Sequence, residues 1–345
     1  MNHLQPPQPK RLDEKLAEIR ADPTGSNAFI LADAKDADMA FGCLAPGRRR
    51  DGSLKSRPEL LDAIRAVSEQ GLIDLMLMSA SSVERLVIEE GLFRESAVTP
   101  AGRINDSTDI WVVRGGRYTG EPSHPFRTAT LDHLKHGRLV EDASLPGPGV
   151  DLGLYSITPT GDLEADVRTL EAFAQFRVEA EQKRFRYFLE VFNPNVASTP
   201  AIDDVGAFVN DFIARTLAGV TSAGRPQFLK VAYNGPRALE ELVAYDPSLV
   251  VGVLGGSAGT TRDAFQLLAD ARRHGARVAL FGRKINSAED QLAFVEHLRQ
   301  IADGGAEPAD AVRSYHARIK TLGLAPNRPL DDDLQVTEQS LCYGR

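Results

Sequence analysis

"LVVGVLGGSAGTTRDAFQLLADARRHGARVALFGRK", residues 249–284, carries the pattern that decides the fold. A continuous apolar run (249–257) closes on small residues, a stretch with helical spacing (260–274) follows, and a second apolar run (277–284) begins. Strands that are apolar throughout, rather than alternating, are buried on both faces. The unit therefore reads strand–helix–strand, with the two strands parallel.

Six further apolar runs precede it, at 27–35, 72–80, 96–104, 150–158, 186–194 and 228–235. Helical patterns fall at 58–70, 82–91, 162–184, 203–219 and 236–245, and a last one follows at 287–303. Eight such units predict an α/β fold, the (β/α)8 TIM barrel. A doubly wound sheet is the rival, but no G-x-G-x-x-G turn follows a strand. The reading is one barrel domain over 1–345, with its core at 27–303 and an extra N-terminal helix at 11–21 outside the barrel. An insertion at 106–130 follows the third strand, with the only tryptophan, Trp111, and an expected hairpin. A C-terminal extension (304–345) is expected to pack on the barrel or on a neighbouring subunit.

Composition narrows the function. The net charge of −8 disfavours duplex nucleic acid or an acidic membrane as partner, since both need basic surface. Cys43 and Cys342 are far apart, as suits a reducing compartment. The first residues show no apolar leader segment, and no apolar run reaches the roughly 18 residues of a membrane span. A cytoplasmic, soluble protein is expected, with a small-molecule partner and self-association as a homo-oligomer. The histidines, among them His124, His133, His136 and His274, make no strand-end cluster, so neither metal nor diffusible cofactor is expected.

Barrels carry their chemistry at the C-terminal ends of the strands. Lys230 interrupts the apolar "FLKVAYNG" (228–235), and Glu190 interrupts "FLEVF" (188–192). Burying either charge is costly unless it is paired or used. Alternation groups Lys230 with Phe228 and Ala232, and Glu190 with Phe188 and Phe192, facing the axis; the same reasoning turns Asp33 inward with Phe29 and Leu31. Unlike arginine, a lysine can lose its proton and attack a carbonyl to form a Schiff base. Glu190 then suits proton transfer, Asp33 would orient the substrate or hold Lys230, and Lys35 would be the positive neighbour. A closed ion-pair network at the top of the core is the bland alternative.

"GGSAGTT" (255–261) offers Gly256, Ser257, Ala258 and Gly259 before a helix N-terminus, a setting for phosphate; a capped Gly-rich turn is the other reading. "GRK" adds Gly282 and Arg283 after strand eight, the usual place for a phosphate in a barrel. Arg48, Arg49 and Arg50 could meet a second anion or lie in a solvated loop. Asn105, Asp106 and Ser107 end strand three.

On these residues the chain resembles the class I, Schiff-base aldolases of the TIM-barrel superfamily. It looks most like the tagatose-1,6-bisphosphate aldolase group, and then like archaeal-type fructose-bisphosphate aldolases. The resemblance rests on "DAK" after strand one, "FLEVF", "FLKVAYNG" and above all "GGSAGTTRDAFQLL…GARVALFGRKI" (255–285). It implies that Lys230 forms the imine, that Glu190 is the acid/base, and that Asp33 is the strand-one aspartate. Ser257, Ala258, Gly259, Gly282 and Arg283 then match the phosphate-binding elements. Those families carry a lysine or tyrosine on strand four, where this chain offers Tyr155; Ala34-Lys35 departs from their strand-one motif. The implied function is a carbon–carbon lyase acting on a phosphorylated sugar or sugar acid, with dihydroxyacetone phosphate as a candidate product. Two alternatives accompany it: a phosphate-binding isomerase or epimerase using carboxylates, and a non-catalytic sugar-phosphate sensor.

Overall fold

The computed structural model describes residues 9–106, 112–198, 201–256 and 259–342. Eight strands are present: Ile30–Lys35 (β1), Leu75–Met78 (β2), Thr99–Arg103 (β3), Leu152–Ile157 (β4), Arg186–Val191 (β5), Leu229–Val231 (β6), Val251–Leu254 (β7) and Val278–Phe281 (β8). They pair in sequence order, all parallel, and β8 closes on β1. Each expected run contains one of them. Helices Arg57–Gln70, Leu163–Gln182, Val205–Ala218, Pro236–Tyr245, Thr261–Arg273 and Gln291–Ala302 return the chain between strands or cover the closing seam. The expected 82–91 helix is a short α-turn, Ala80–Val83, running into a π-helix, Glu84–Glu89.

Two apolar layers follow from the alternation of side chains along each strand. Ile30 and Ala32, Leu75 and Leu77, Leu152 and Leu154, Phe188 and Phe228 fill the barrel interior. Leu31, Met76, Tyr155, Leu189, Leu229 and Phe281 belong to the outer layer under the helices. This corrects the facing expected for strand one. Phe29 and Leu31 pack outward, so Asp33 and Lys35 share the helix-facing side, while Ala32 and Ala34 face the axis. Both alternating sets of that strand are apolar, and the barrel axis accepts the small alanines where Phe29 and Leu31 would crowd it.

The N-terminal helix, Arg11–Ala21, inserts Leu12, Leu16 and Ile19 into the interior cluster and closes the lower end of the barrel. Asp74, fully buried just before β2, is met there by Arg11 (2.6 Å), Lys15 (2.8 Å) and Arg299 (3.1 Å). It also accepts the Leu31 N–H at 2.8 Å.

Residues 112–130 of the insertion form turns and no strand, so the expected hairpin is absent among the described residues; Trp111 lies outside them. Gly115, Gly116 and Gly120, with Pro122 and Pro125, break any strand alternation there. Asn195 fastens the segment through the Tyr118 (2.5 Å) and Glu121 (2.8 Å) carbonyls. The C-terminal extension packs on the barrel: Tyr315 of the Pro308–Thr321 helix sits edge-on to Phe294 at 5.5 Å. Among the described residues no helix is long and apolar enough to cross a membrane.

Candidate active site

Glu190 and Lys230 lie side by side in the β5–β6 register. One pleat below, Phe188 and Phe228 stack at 4.5 Å and give both groups an apolar floor. Charges over such a floor must find each other. Lys230 Nζ stands 2.6 Å from Glu190 Oε1. The other carboxylate oxygen, Oε2, accepts from Ser156 Oγ of β4 at 2.7 Å. Ser156 is fixed in turn by Asn105, which accepts its N–H at 2.7 Å and donates to its carbonyl at 2.8 Å. Oε1 is thereby aimed at the lysine.

A second pair faces them. Arg103, at the end of β3, places Nη1 2.8 Å from Asp36 Oδ2 and donates Nε–H to the Asn105 carbonyl at 2.9 Å. Both residues are 5% exposed. The two pairs open on one cavity of about 370 Å³, whose wall is completed by Gly255 and Gly256 after β7 and by Gly282 and Arg283 after β8. That volume lies within the range of roughly 300–1,000 Å³ typical of small-molecule sites. Arg283 lies 5.6 Å over the Phe41 ring, a cation–π contact that holds the guanidinium at the rim.

No family model matches the chain, and no curated protein matches its sequence. Solved structures do resemble it. One is an archaeal fructose-1,6-bisphosphate aldolase whose catalytic lysine is covalently bound to the carbinolamine intermediate of the substrate: 17% identity, TM-score 0.57, 85% of this chain and 100% of that one. Another is a fructose-bisphosphate aldolase from Slackia heliotrinireducens, with 12% identity, TM-score 0.63, and coverage of 89% and 91%. A protein from Corynebacterium glutamicum matches at 18% identity and TM-score 0.59, covering 87% and 100%. The chain shares their barrel fold.

Within this barrel the expected site residues separate into three groups. Lys230, Glu190, Gly256, Gly282 and Arg283 meet at the cavity. Gly282 is required for close approach, because a Cβ there would lie 2.6 Å from the Ala34 carbonyl oxygen. Ser257 and Ala258 lie outside the described residues. Asp33, Lys35, Tyr155 and Gly259 are placed elsewhere.

Asp33 is fully buried on the helix side of β1, 3.2 Å from Lys35 but without a directed hydrogen bond to either oxygen. Loss of water raises its pKa to about 6, against the opposing charge of Lys35. Lys35 is therefore the ion partner of Asp33; it donates to Gln291 at 3.3 Å and lines a neighbouring cavity of about 280 Å³. Tyr155 stacks on Phe176 at 4.2 Å in the outer layer, where burial pushes its phenol up to about 12. It is Ser156 that strand four turns inward.

Gly259 borders a separate cavity of about 190 Å³, and Lys284 donates to its carbonyl at 2.8 Å. The start of the Thr261–Arg273 helix does not offer its first N–H groups to a phosphate. Thr260 N–H goes to Asp263 (2.8 Å), and Thr261 N–H goes to Asp333 of the C-terminal extension (2.7 Å). Carboxylates satisfy that positive helix end. Gly255, Gly256 and Gly282 line the cavity beside Arg283 instead.

Arg48 and Arg49 are exposed and held locally, Arg48 by the Gly52 carbonyl of its own loop at 2.7 Å and Arg49 by Glu59 in the first turn of the Arg57–Gln70 helix. Asp106 accepts from Thr128 at 3.1 Å, and Ser107 is outside the described residues. Asp36, Arg103 and Ser156 are the site residues that sequence reading passed over. Arg103 had a signal: it is the one charge in "TPAGR", two residues beyond Ala101, which faces the axis.

Proposed function

We propose that the protein is a class I aldolase, cleaving or forming a carbon–carbon bond in a phosphorylated sugar through an imine at Lys230. The observation that carries this reading is the 2.6 Å Lys230–Glu190 contact on an apolar floor, open to the same cavity as Gly256, Gly282 and Arg283. A solved enzyme of the same fold, bearing a carbinolamine on its catalytic lysine, supports it.

In this reading Lys230 passes a proton to Glu190 and attacks the substrate ketone. Glu190 returns the proton to the departing hydroxyl, water leaves, and an iminium remains. The pair of electrons in the neighbouring carbon–carbon bond moves toward the iminium, while Glu190 takes the proton of the substrate hydroxyl. An aldehyde departs and an enamine stays on Lys230. Arg283 and the glycine backbone hold the phosphate. With Asp33 outside the cavity, the isomerase alternative would have to pair Glu190 with Asp36, whose carboxylate Arg103 holds at 2.8 Å.

The test is borohydride trapping with dihydroxyacetone phosphate, followed by peptide mass mapping. The expected result is a stable adduct on Lys230 that is absent from Lys230→Ala. Failure to trap any member of a panel of sugar phosphates and keto acids, with turnover retained in Lys230→Arg, would overturn the proposal, because arginine keeps the charge but forms no imine.

A further inference from the structure

We propose that Arg103 selects the aldehyde partner of the reaction, and that this partner is an uncharged polyhydroxy aldehyde rather than a phosphorylated one. The inference rests on the aldolase reading above. In a barrel closed in sequence order, β3 stands four strands from β7, which is directly across the mouth. Arg103 therefore faces Gly255 and Gly256 over the shared cavity, with Lys230 of β6 next to those glycines. A ketone phosphate that puts its phosphate against Gly256 and Arg283, and its carbonyl carbon at Lys230, leaves the β1–β3 wall for the second reactant.

That wall presents Asp36 and Arg103 as a matched pair 2.8 Å apart. The guanidinium is also tied to the Asn105 carbonyl at 2.9 Å and approaches Ser156 Oγ at 3.5 Å, so its position is set before any substrate arrives. A buried arginine awaiting a phosphate would keep its charge for the ligand. Here Asp36 has already neutralised it, and a second phosphate brought to Arg103 would also meet the Asp36 carboxylate, a like charge in a site sheltered from water. A chain of hydroxyls suits the pair, donating to Asp36 and accepting from Arg103. In the condensation direction the enamine carbon bonds to the aldehyde carbon, the aldehyde oxygen takes a proton from Glu190, and water then hydrolyses the imine to free the ketose.

The experiment compares kcat/KM for condensation of dihydroxyacetone phosphate with D-glyceraldehyde and with D-glyceraldehyde 3-phosphate, in the full chain. The unmodified protein is expected to favour the uncharged aldehyde by about tenfold or more. Asp36→Asn removes the carboxylate paired with the guanidinium at 2.8 Å and should shift that preference toward the phosphorylated aldehyde by about tenfold. Arg103→Met should slow condensation with glyceraldehyde by about a hundredfold and reduce borohydride trapping of dihydroxyacetone phosphate far less. A purely structural pair would lower both aldehydes alike in Asp36→Asn, and that result overturns the inference. So does a preference of the unmodified protein for the phosphorylated aldehyde, a result that needs no variant to fold, or condensation with neither. In each of those cases an adduct on Lys230 keeps the aldolase reading standing. Absence of the adduct removes both.

Discussion

The two ends of this barrel handle buried charge differently. At the lower end Asp74 is surrounded: three cations and one backbone N–H converge on it, and the Arg11–Ala21 helix covers the cluster. At the mouth the charges stand in pairs, Lys230 with Glu190 and Arg103 with Asp36, and both pairs open on a cavity. A carboxylate saturated on every side holds the fold together and has no position left for a ligand. A pair that borders a cavity can exchange a proton or meet a substrate. Buried charge alone does not mark a site. A buried charged pair that borders a cavity does.

The largest effect is expected at Asp74. Asp74→Ala removes the buried carboxylate that three cations and the Leu31 N–H share, so the expected loss is about 4 kcal/mol of stability. Activity per folded molecule should stay unchanged. Denaturant unfolding together with active-site titration measures both. A loss of activity in molecules that remain folded would show the lower end to be coupled to the mouth.

Asp33 sharpens the contrast, since it is neither saturated nor open. Its carboxyl keeps its proton to about pH 6 in the folded chain, against an ordinary value of 3.8. Between those values the folded state binds more protons than the unfolded one. Stability should therefore fall as pH rises from about 4 to about 6 and change no further above that, by a total on the order of 3 kcal/mol. Unfolding midpoints of Asp33→Asn over the same window should lack this downward slope. An unchanged slope would show that Asp33 is not the group responsible.

The smallest effect belongs to Ser156, which aims the Glu190 carboxylate. Ser156→Ala removes one hydrogen bond to a charged group, worth about 1.5 kcal/mol. The expected outcome is a roughly tenfold fall in the trapping rate with dihydroxyacetone phosphate, the melting temperature moving only a few degrees. Equal trapping rates would mean that Lys230 alone orients Glu190.

Much of this was legible in the residues. All eight strand runs and most helices could be marked because continuous apolar segments separated by helical spacing admit few other readings. Lys230 and Glu190 stood out as lone charges in apolar strands, and their axis-facing placement followed from the phenylalanines two residues before each. Strand one misled because Phe29 and Leu31 compete with Ile30 and Ala32 for the interior. Alternation fixes which residues share a face and leaves open which face it is. Tyr155 failed for the same reason, flanked by Leu154 and Ser156 on the side that faces the axis. The helix start at Thr260–Thr261 misled differently, since the carboxylate that occupies it comes from Asp333, 72 residues further along the chain.

Local sequence was enough to settle the number and order of the strands, the helices between them, and the presence of a lysine and a glutamate within neighbouring strands. Only closure of the barrel decided that β3 would face β7, bringing Arg103 into the same cavity as the glycine loops. Only the packing of the C-terminal extension decided that Asp333 would cap the helix after β7. The physical reason is range: propensity and hydrophobic period act over a few residues, whereas the pairing of distant charges depends on which surfaces the closed barrel brings within a few ångströms of one another.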